Sequence, residues 1–241
     1  VHNAGVDGHT SRGHLFMMKH VVPKVKPDMI VFLTGINDLG LSLKPDRFYD
    51  GTPYEEVKPI YWVFTKSRLL QILYSWKQVF SGEAVLVSQG HTNLVLKEMS
   101  QSESTFSEGF VDELISINEY ENNLREIIRL GREQNVKMLF MTQPTLFADN
   151  DKWSTVEGKT AWLNNQEYYI SARTVYRMLD VFNDKMIEVC EDENVEYFDL
   201  ASYMPHDSRY YYDSVHFNDR GASFVAKSLV GYIRARNMIE E

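Results

Sequence analysis

The sequence has a single cysteine, no long apolar run and no excess of basic residues. Cys190 is alone among the 241 residues, so an internal disulfide is excluded, while one thiol leaves the compartment open. No apolar run reaches the ~18 residues of a membrane-spanning helix, and no transmembrane segment is predicted. The formal net charge of -9 argues against nucleic acid or an anionic membrane as partner, because both need clustered lysine and arginine.

Motifs for a metal or a nucleotide cofactor are also missing. Four histidines lie close together near the start of the sequence, at His2, His9, His14 and His20. They have neither the His-Glu-x-x-His nor the Cys-x-x-Cys spacing of common metal sites. The pair Gly5 and Gly8 lacks the third glycine of a dinucleotide fingerprint. The sequence therefore predicts no metal and no organic cofactor.

Strand and helix patterns alternate along most of the chain. Continuous apolar runs predict strands at 28–34, 136–142 and 195–200, and the tail of a strand at 1–4. Apolar residues at helical spacing predict helices at 11–25, 117–133, 166–194 and from Asn218 to about Arg236. Such alternation implies an α/β fold with a central parallel sheet and helices on both faces. In these folds the active site lies at the carboxyl ends of the strands.

The stretch from about 41 to 116 does not fit this alternation, since it is too long for a simple connection. Its first half carries the aromatic segment 61–76, and residues 100–108 are rich in serine and glutamate. We expect an inserted helical cap followed by a flexible loop. An aromatic helix packed on the sheet and a helix lying on a membrane surface are the alternatives.

Two short motifs stand where the alternation predicts the active-site edge. Gly-Ile-Asn-Asp at 35–38 follows the apolar run 29–33, and Asp-Ser-Val-His at 213–216 precedes the last helix. A glycine and an amide side chain at a strand end suit an oxyanion-binding corner. A carboxylate three residues before a histidine suits an acid–histidine pair. The two motifs lack only a nucleophile between them.

These motifs resemble conserved blocks of the SGNH (GDSL-type) hydrolases. Gly-x-Asn-Asp resembles the third block, Asp-x-x-His the fifth, and the segment 3–11 resembles the second, which contributes a glycine. Together the blocks cover nearly the whole chain, in the family's order. The resemblance implies a single SGNH-type domain over 1–241, built as a three-layer α/β/α sandwich of flavodoxin-like type. It also implies hydrolysis or transfer of an ester acyl group.

The resemblance gives each motif residue a role. His216 would be the general base, with Asp213 fixing its tautomer. Asn37 would donate its side-chain amide to the oxyanion, and the Gly8 backbone N–H would be the second donor. Gly35 would shape the turn at the strand end, and Asp38 would hold that loop by hydrogen bonds. Gly5 is the alternative to Gly8 as the turn residue.

The family's first block, Gly-Asp-Ser, does not occur in the sequence. In the family it carries the nucleophile at the end of the first strand, so we expect both the serine and that strand upstream of Val1. A domain truncated at its N-terminus is favoured over a pseudoenzyme, because a sheet lacking an interior strand would expose two edges. Ser11 fits a helix start better than a nucleophile, and Ser214 lies inside the turn of its own histidine.

The leading interpretation is a serine-type esterase or deacetylase acting on a small-molecule or glycan ester, with these 241 residues inactive alone. One alternative is an O-acyltransferase acting on a glycan, which would use the same site with a different acceptor. Another is a non-catalytic carbohydrate- or partner-binding relic. The aromatic segment 61–76 would line an acyl pocket or stack on sugars.

Overall fold

A computed structural model describes residues 1–6, 8–43, 97–98, 114, 116–149, 153–154, 160–163, 166–169 and 171–239. These residues belong to one compact unit formed by 1–50 and 92–241. Most of the cap insertion predicted at 41–116 lies outside the described residues. Within the described part of the chain, no helix is long and apolar enough to cross a membrane.

Helices and strands alternate through the described residues. The helices are α1 (Ser11–His20), α2 (Val22–Val25), α3 (Ile36–Leu43), α4 (Ile117–Glu133), α5 (Ala172–Asp192), α6 (Leu200–Tyr203) and α7 (Asp219–Ala235). The strands are β1 (Met29–Leu33), β2 (Lys97–Glu98), β3 (Lys137–Met141), β4 (Trp153–Ser154), β5 (Thr160–Leu163), β6 (Gln166–Tyr169) and β7 (Glu196–Phe198).

The central sheet is parallel and has the order β1-β3-β7. Register runs from Met29 opposite Lys137 to Leu33 opposite Met141, and Leu139 lies opposite Glu196. Within the described residues β1 pairs with β3 alone, and no described strand pairs with its other edge. Two small antiparallel pairs, β2 with β4 and β5 with β6, lie outside this sheet.

Side chains of the sheet alternate between two apolar layers, as the pleat requires. One layer packs Phe32, Met138 and Phe140 against the buried faces of α1, α4 and α5. The other packs Leu139, Met141 and Phe198 against α7. Helices therefore cover both faces of a parallel sheet, which confirms the predicted α/β/α sandwich.

Helix α4 shows why the helical pattern was informative. Tyr120, Leu124, Ile127 and Ile128 recur at helical spacing and are all buried. The structure confirms this helix at its predicted bounds. Cys190 on α5 is likewise buried, with its thiol donating to Met186 Sδ at 3.6 Å, as expected for a structural cysteine.

Three local predictions were wrong. Residues 1–4 form no strand; they are exposed, so no core contact favours an extended pairing there. The helix expected at 11–25 is divided at Val21, because Pro23 in the first turn of α2 has no N–H to continue it. Residues 166–169 form β6, and α5 begins only after Ser171, whose hydroxyl caps the Thr174 N–H. Helix α3, directly after the Gly35 turn, was not predicted.

Candidate active site

The Asp213–His216 turn is held by hydrogen bonds to a single carboxylate. Asp213 Oδ2 accepts from His216 Nδ1 at 2.6 Å, while Asp213 Oδ1 accepts from the backbone N–H groups of Val215 and His216 at 2.8 and 2.7 Å. With its hydrogen on Nδ1, a neutral His216 leaves Nε2 as acceptor. The ring can thus take a proton at Nε2, as a general base must.

The charge of Asp213 is favoured by these contacts. Burial alone raises the pKa of Asp213, but the hydrogen bonds from the His216 ring and from the Val215 and His216 N–H groups outweigh it, and the pKa lies below its usual range. Asp213 is therefore an ionised partner for His216 near neutral pH. The His216 side chain is 57% exposed.

An aromatic ring lies beside His216. The Tyr212 ring is nearly parallel to the imidazole, with a centroid distance of 5.4 Å and an interplanar angle of 9°. The Tyr212 N–H also donates to the His216 carbonyl at 3.1 Å. The ring contact limits movement of the imidazole on one face, and the hydrogen bond holds the backbone of His216.

The loop after β3 connects this turn to the sheet. Leu146 N–H and Thr145 Oγ1 both donate to the Ser214 carbonyl at 2.8 Å. This loop leaves the carboxyl end of β3, the neighbour of β1. Since β1 and β3 are parallel, the turn and the Gly35 corner lie at the same edge of the sheet.

The Gly35 corner places Asn37 in the first turn of α3. Gly35 has a φ of +124°, a conformation that only glycine adopts readily, and this lets the chain pass directly from β1 into α3. Asn37 Nδ2 donates to the His9 carbonyl at 2.8 Å. An amide nitrogen carries two hydrogens, so this bond orients the group and leaves a second hydrogen for an acceptor.

Asp38 is buried beside α1. Its carboxyl accepts from the Ser11 N–H at 3.0 Å and from the Ser11 hydroxyl at 2.5 Å. Burial raises the pKa of Asp38 to about 6, and the Ser11 hydrogen bonds act in the opposite direction. Asn37 and Asp38 both lie in the first turn of α3. From there Asn37 binds the His9 carbonyl and Asp38 binds the Ser11 N–H.

Gly8 lies in the turn that leads into α1. The His9 N–H donates to the Val6 carbonyl at 3.2 Å, and Gly8, at the third position of this turn, has a φ of +76°. A positive φ at that position favours glycine. Gly5 is not in this conformation; its N–H donates to the Asn3 side chain at 2.9 Å. Gly8 is therefore the turn residue of the pair.

The two serines weighed as stand-in nucleophiles are both buried. Ser11 donates its hydroxyl hydrogen to Asp38 and accepts from Asn123 Nδ2 at 2.9 Å. Ser214 is 2% exposed, and its carbonyl faces the loop after β3. Neither hydroxyl is presented to a substrate in this arrangement.

Among the histidines near the start of the chain, His14 is partly buried. Its ring packs against Phe32 at a centroid distance of 6.0 Å, and burial, followed by the charge of His9, lowers its pKa to about 4. Within the described residues no three histidine, cysteine or acidic side chains are grouped as ligands for a metal.

Sequence reasoning missed the residues that support the site from a distance. Thr145, Leu146 and Tyr212 contact the 213–216 turn, and Asn183 binds both the N–H and the carbonyl of Gln143 at 2.8 and 3.0 Å. Gln143-Pro144 indicated only the end of a strand. No local pattern marks the contacts of Thr145, Leu146 and Asn183, because each joins segments far apart in the chain.

The sequence profile of the GDSL-like lipase/acylhydrolase family matches residues 1–223. The chain belongs to this family. The GDSL-like family membership agrees with the resemblance of the three blocks and supports an ester hydrolase. No curated protein matches the chain in sequence.

Solved structures with the same fold are esterases. A catalytic mutant of Axe2, an acetylxylan esterase from Geobacillus stearothermophilus, is similar with a TM-score of 0.51 and 14% identity, covering 96% of this chain and 69% of that chain. A second Axe2 mutant, described as an acetyl-xylooligosaccharide esterase, gives a TM-score of 0.50 and 15% identity over the same shares of 96% and 69%. At this identity the likeness establishes the fold that this GDSL-like chain shares with them.

Proposed function

We propose that this GDSL-like chain belongs to a serine-type ester hydrolase in which His216 is the general base. The single observation that carries the proposal is the bond of 2.6 Å between His216 Nδ1 and Asp213 Oδ2, which leaves Nε2 of an exposed ring as proton acceptor. Such a pair activates a hydroxyl nucleophile by taking its proton and later returns that proton to the leaving alcohol.

Asn37 and Gly8 supply the oxyanion hole in this proposal. Asn37 keeps one amide hydrogen beyond the one bound to the His9 carbonyl. The Gly8 N–H belongs to the turn directly before α1, which Asp38 holds in place through Ser11. Donors fixed in this way stabilise the negative charge of a tetrahedral intermediate without reorganising during the reaction.

The nucleophile in this proposal is a serine on a further strand. Ser11 and Ser214 are buried, and no described strand pairs with the second edge of β1, which could therefore pair with one more parallel strand. The carboxyl end of such a strand would lie beside Gly35 and Asn37, because parallel strands end at the same edge. We place this strand before Val1, in agreement with the expectation from the missing Gly-Asp-Ser block.

The substrate we propose is a short acyl ester, with an acetylated glycan as the first to test. The Axe2 protein, whose fold this chain shares, is an acetylxylan esterase. Acetylated xylooligosaccharides and an aryl acetate therefore form the initial panel. Faster acyl transfer to an added sugar than to water would instead identify a glycan O-acyltransferase.

The test is active-site labelling of the full-length protein with a fluorophosphonate, followed by peptide mapping, alongside ester assays of the wild type and His216→Ala. We expect a phosphonylated serine on a peptide preceding Val1, and loss of both labelling and turnover in His216→Ala. A label on Ser11, or unchanged turnover in His216→Ala, would refute the assigned site. Full-length protein that binds glycans but never labels would be the non-catalytic binding relic.

A further inference from the structure

Thr145 lies in the loop after β3 and contacts the 213–216 turn. It follows β3 by four positions and is 3% exposed. Its hydroxyl is 2.8 Å from the Ser214 carbonyl oxygen. A carbonyl only accepts, so the hydroxyl hydrogen of Thr145 must point at Ser214.

The Thr145 hydroxyl is bound from two sides. It donates to the Ser214 carbonyl and accepts from the Phe147 N–H at 3.3 Å. The same Ser214 carbonyl accepts from the Leu146 N–H at 2.8 Å, so both of its lone pairs are used. The loop after β3 thus binds the turn at a peptide group located between Asp213 and His216.

The hydrogen bonds to the Ser214 carbonyl connect the turn to the sheet, and those of the Asp213 carboxylate do not. Asp213 binds N–H groups within its own turn, and so fixes the shape of the turn but not its position on the sheet. Thr145 and Leu146 belong to the segment leaving β3, and Asn183 on α5 fixes that segment again through Gln143. The turn is therefore connected to the sheet through the Ser214 carbonyl.

We propose that Thr145 is a positioning residue of the active site, holding His216 at the carboxyl edge of the sheet through the Ser214 carbonyl. This inference rests on the proposed role of His216 as general base. Removing the hydroxyl frees one lone pair of a buried carbonyl and leaves it bound to the loop through the Leu146 N–H. The turn then shifts relative to the strand ends, and displacements of this kind slow proton transfer without removing a catalytic group.

The experiment compares Thr145→Val and Thr145→Ser in the full-length protein. Valine keeps the shape of threonine and loses the hydroxyl, whereas serine keeps the hydroxyl. We expect kcat for an acetyl ester to fall about tenfold in Thr145→Val with KM within about twofold, and to return to within about twofold of the wild type in Thr145→Ser.

Thr174→Val is the matched control, since Thr174 is a buried threonine whose hydroxyl lies 2.7 Å from Ser171 Oγ, in α5 and its cap. We expect it to lower the melting temperature by a similar amount and to leave kcat unchanged. An unchanged kcat in Thr145→Val would overturn the proposal, as would equal impairment in Thr145→Ser.

Amide hydrogen exchange separates this inference from the proposed function. The Leu146 N–H shares the Ser214 carbonyl with Thr145, so its exchange should speed up in Thr145→Val and not in Thr174→Val. This readout needs no activity. Faster exchange in a protein that cleaves no ester would support the anchoring contact and reject the assignment of His216, while unchanged Leu146 exchange would overturn the contact itself.

Discussion

The buried carboxyl of Asp38 binds both the backbone N–H and the hydroxyl of Ser11, which lies 27 positions earlier in the chain. The contact caps α1 from outside the helix, since Thr10 at the N-cap makes no side-chain cap. It also joins α1 to the first turn of α3. The turn that contains Gly8 and the helix that carries Asn37 are therefore held together by one buried group.

Asp38 should make the stability of the protein depend on pH. Burial raises its folded pKa to about 6 from 3.8, so between these values the unfolded chain binds fewer protons than the folded one. The free energy of unfolding of the wild type, relative to Asp38→Asn, should then fall by about 3 kcal/mol as pH rises through this window. Urea unfolding of both proteins at several pH values measures it. A constant difference across the window would contradict the raised pKa.

Asp213→Asn should remove most of the activity with little change in shape. An asparagine amide in place of the carboxylate no longer fixes the hydrogen on His216 Nδ1, so Nε2 loses its role as acceptor. We expect kcat for ester cleavage in the full-length protein to fall on the order of a thousandfold or more. Circular dichroism of the variant is the control for folding. Activity within about tenfold of the wild type would show that Asp213 is not the partner of the catalytic base.

Asn37→Ala should lower kcat about 10²–10³-fold with little effect on KM, because an oxyanion donor acts mainly in the transition state. Asn37→Asp tests the amide more specifically, because it keeps the size of the side chain but has no amide hydrogens. We expect it to be at least as impaired, since a carboxylate repels a developing oxyanion. Steady-state kinetics on an acetyl ester decides this, and full turnover in Asn37→Asp would exclude the amide as a donor.

Substitutions of Gly35 and Gly8 should lower the free energy of unfolding by different amounts. An added Cβ at Gly35 would make only ordinary contacts, the nearest being Tyr120 Oη at 3.6 Å, so the cost of Gly35→Ala comes from its φ of +124°. We expect a loss of about 1–3 kcal/mol. At Gly8 the φ is +76° and no atom lies within 4 Å, so alanine should cost about 1 kcal/mol and asparagine less. Thermal unfolding of the three variants checks this order, and an equal loss in all three would contradict it.

Local sequence patterns predicted the elements whose stability comes from their own apolar residues. The continuous apolar run around Phe32 and the helical repeat of Tyr120 and Leu124 each specify one face to bury. The start of α7 was also predictable, because Asn218 accepts from the Arg220 and Gly221 N–H groups two and three positions later. A contact of this kind depends only on neighbours in sequence.

Other elements depend on partners that the local sequence does not contain. Val21 falls between α1 and α2, and residues 166–169 pair with β5, although both segments carry helical patterns. Helix α3 follows a glycine turn within a motif that predicted only a corner. In each case the pattern allowed more than one local structure, and the packing around it selected one.

The sequence by itself determined the α/β order of elements, the family and the identity of the motif residues Asn37, Asp213 and His216, because strand runs and short motifs are local properties. The tertiary structure alone decided that Asp38 caps α1, that Asn37 is oriented by the His9 carbonyl, and that Thr145 holds the turn of His216. Those contacts join residues far apart in the chain. A hydrogen bond between distant segments forms only when both are placed by the packed core, so no local pattern can specify it.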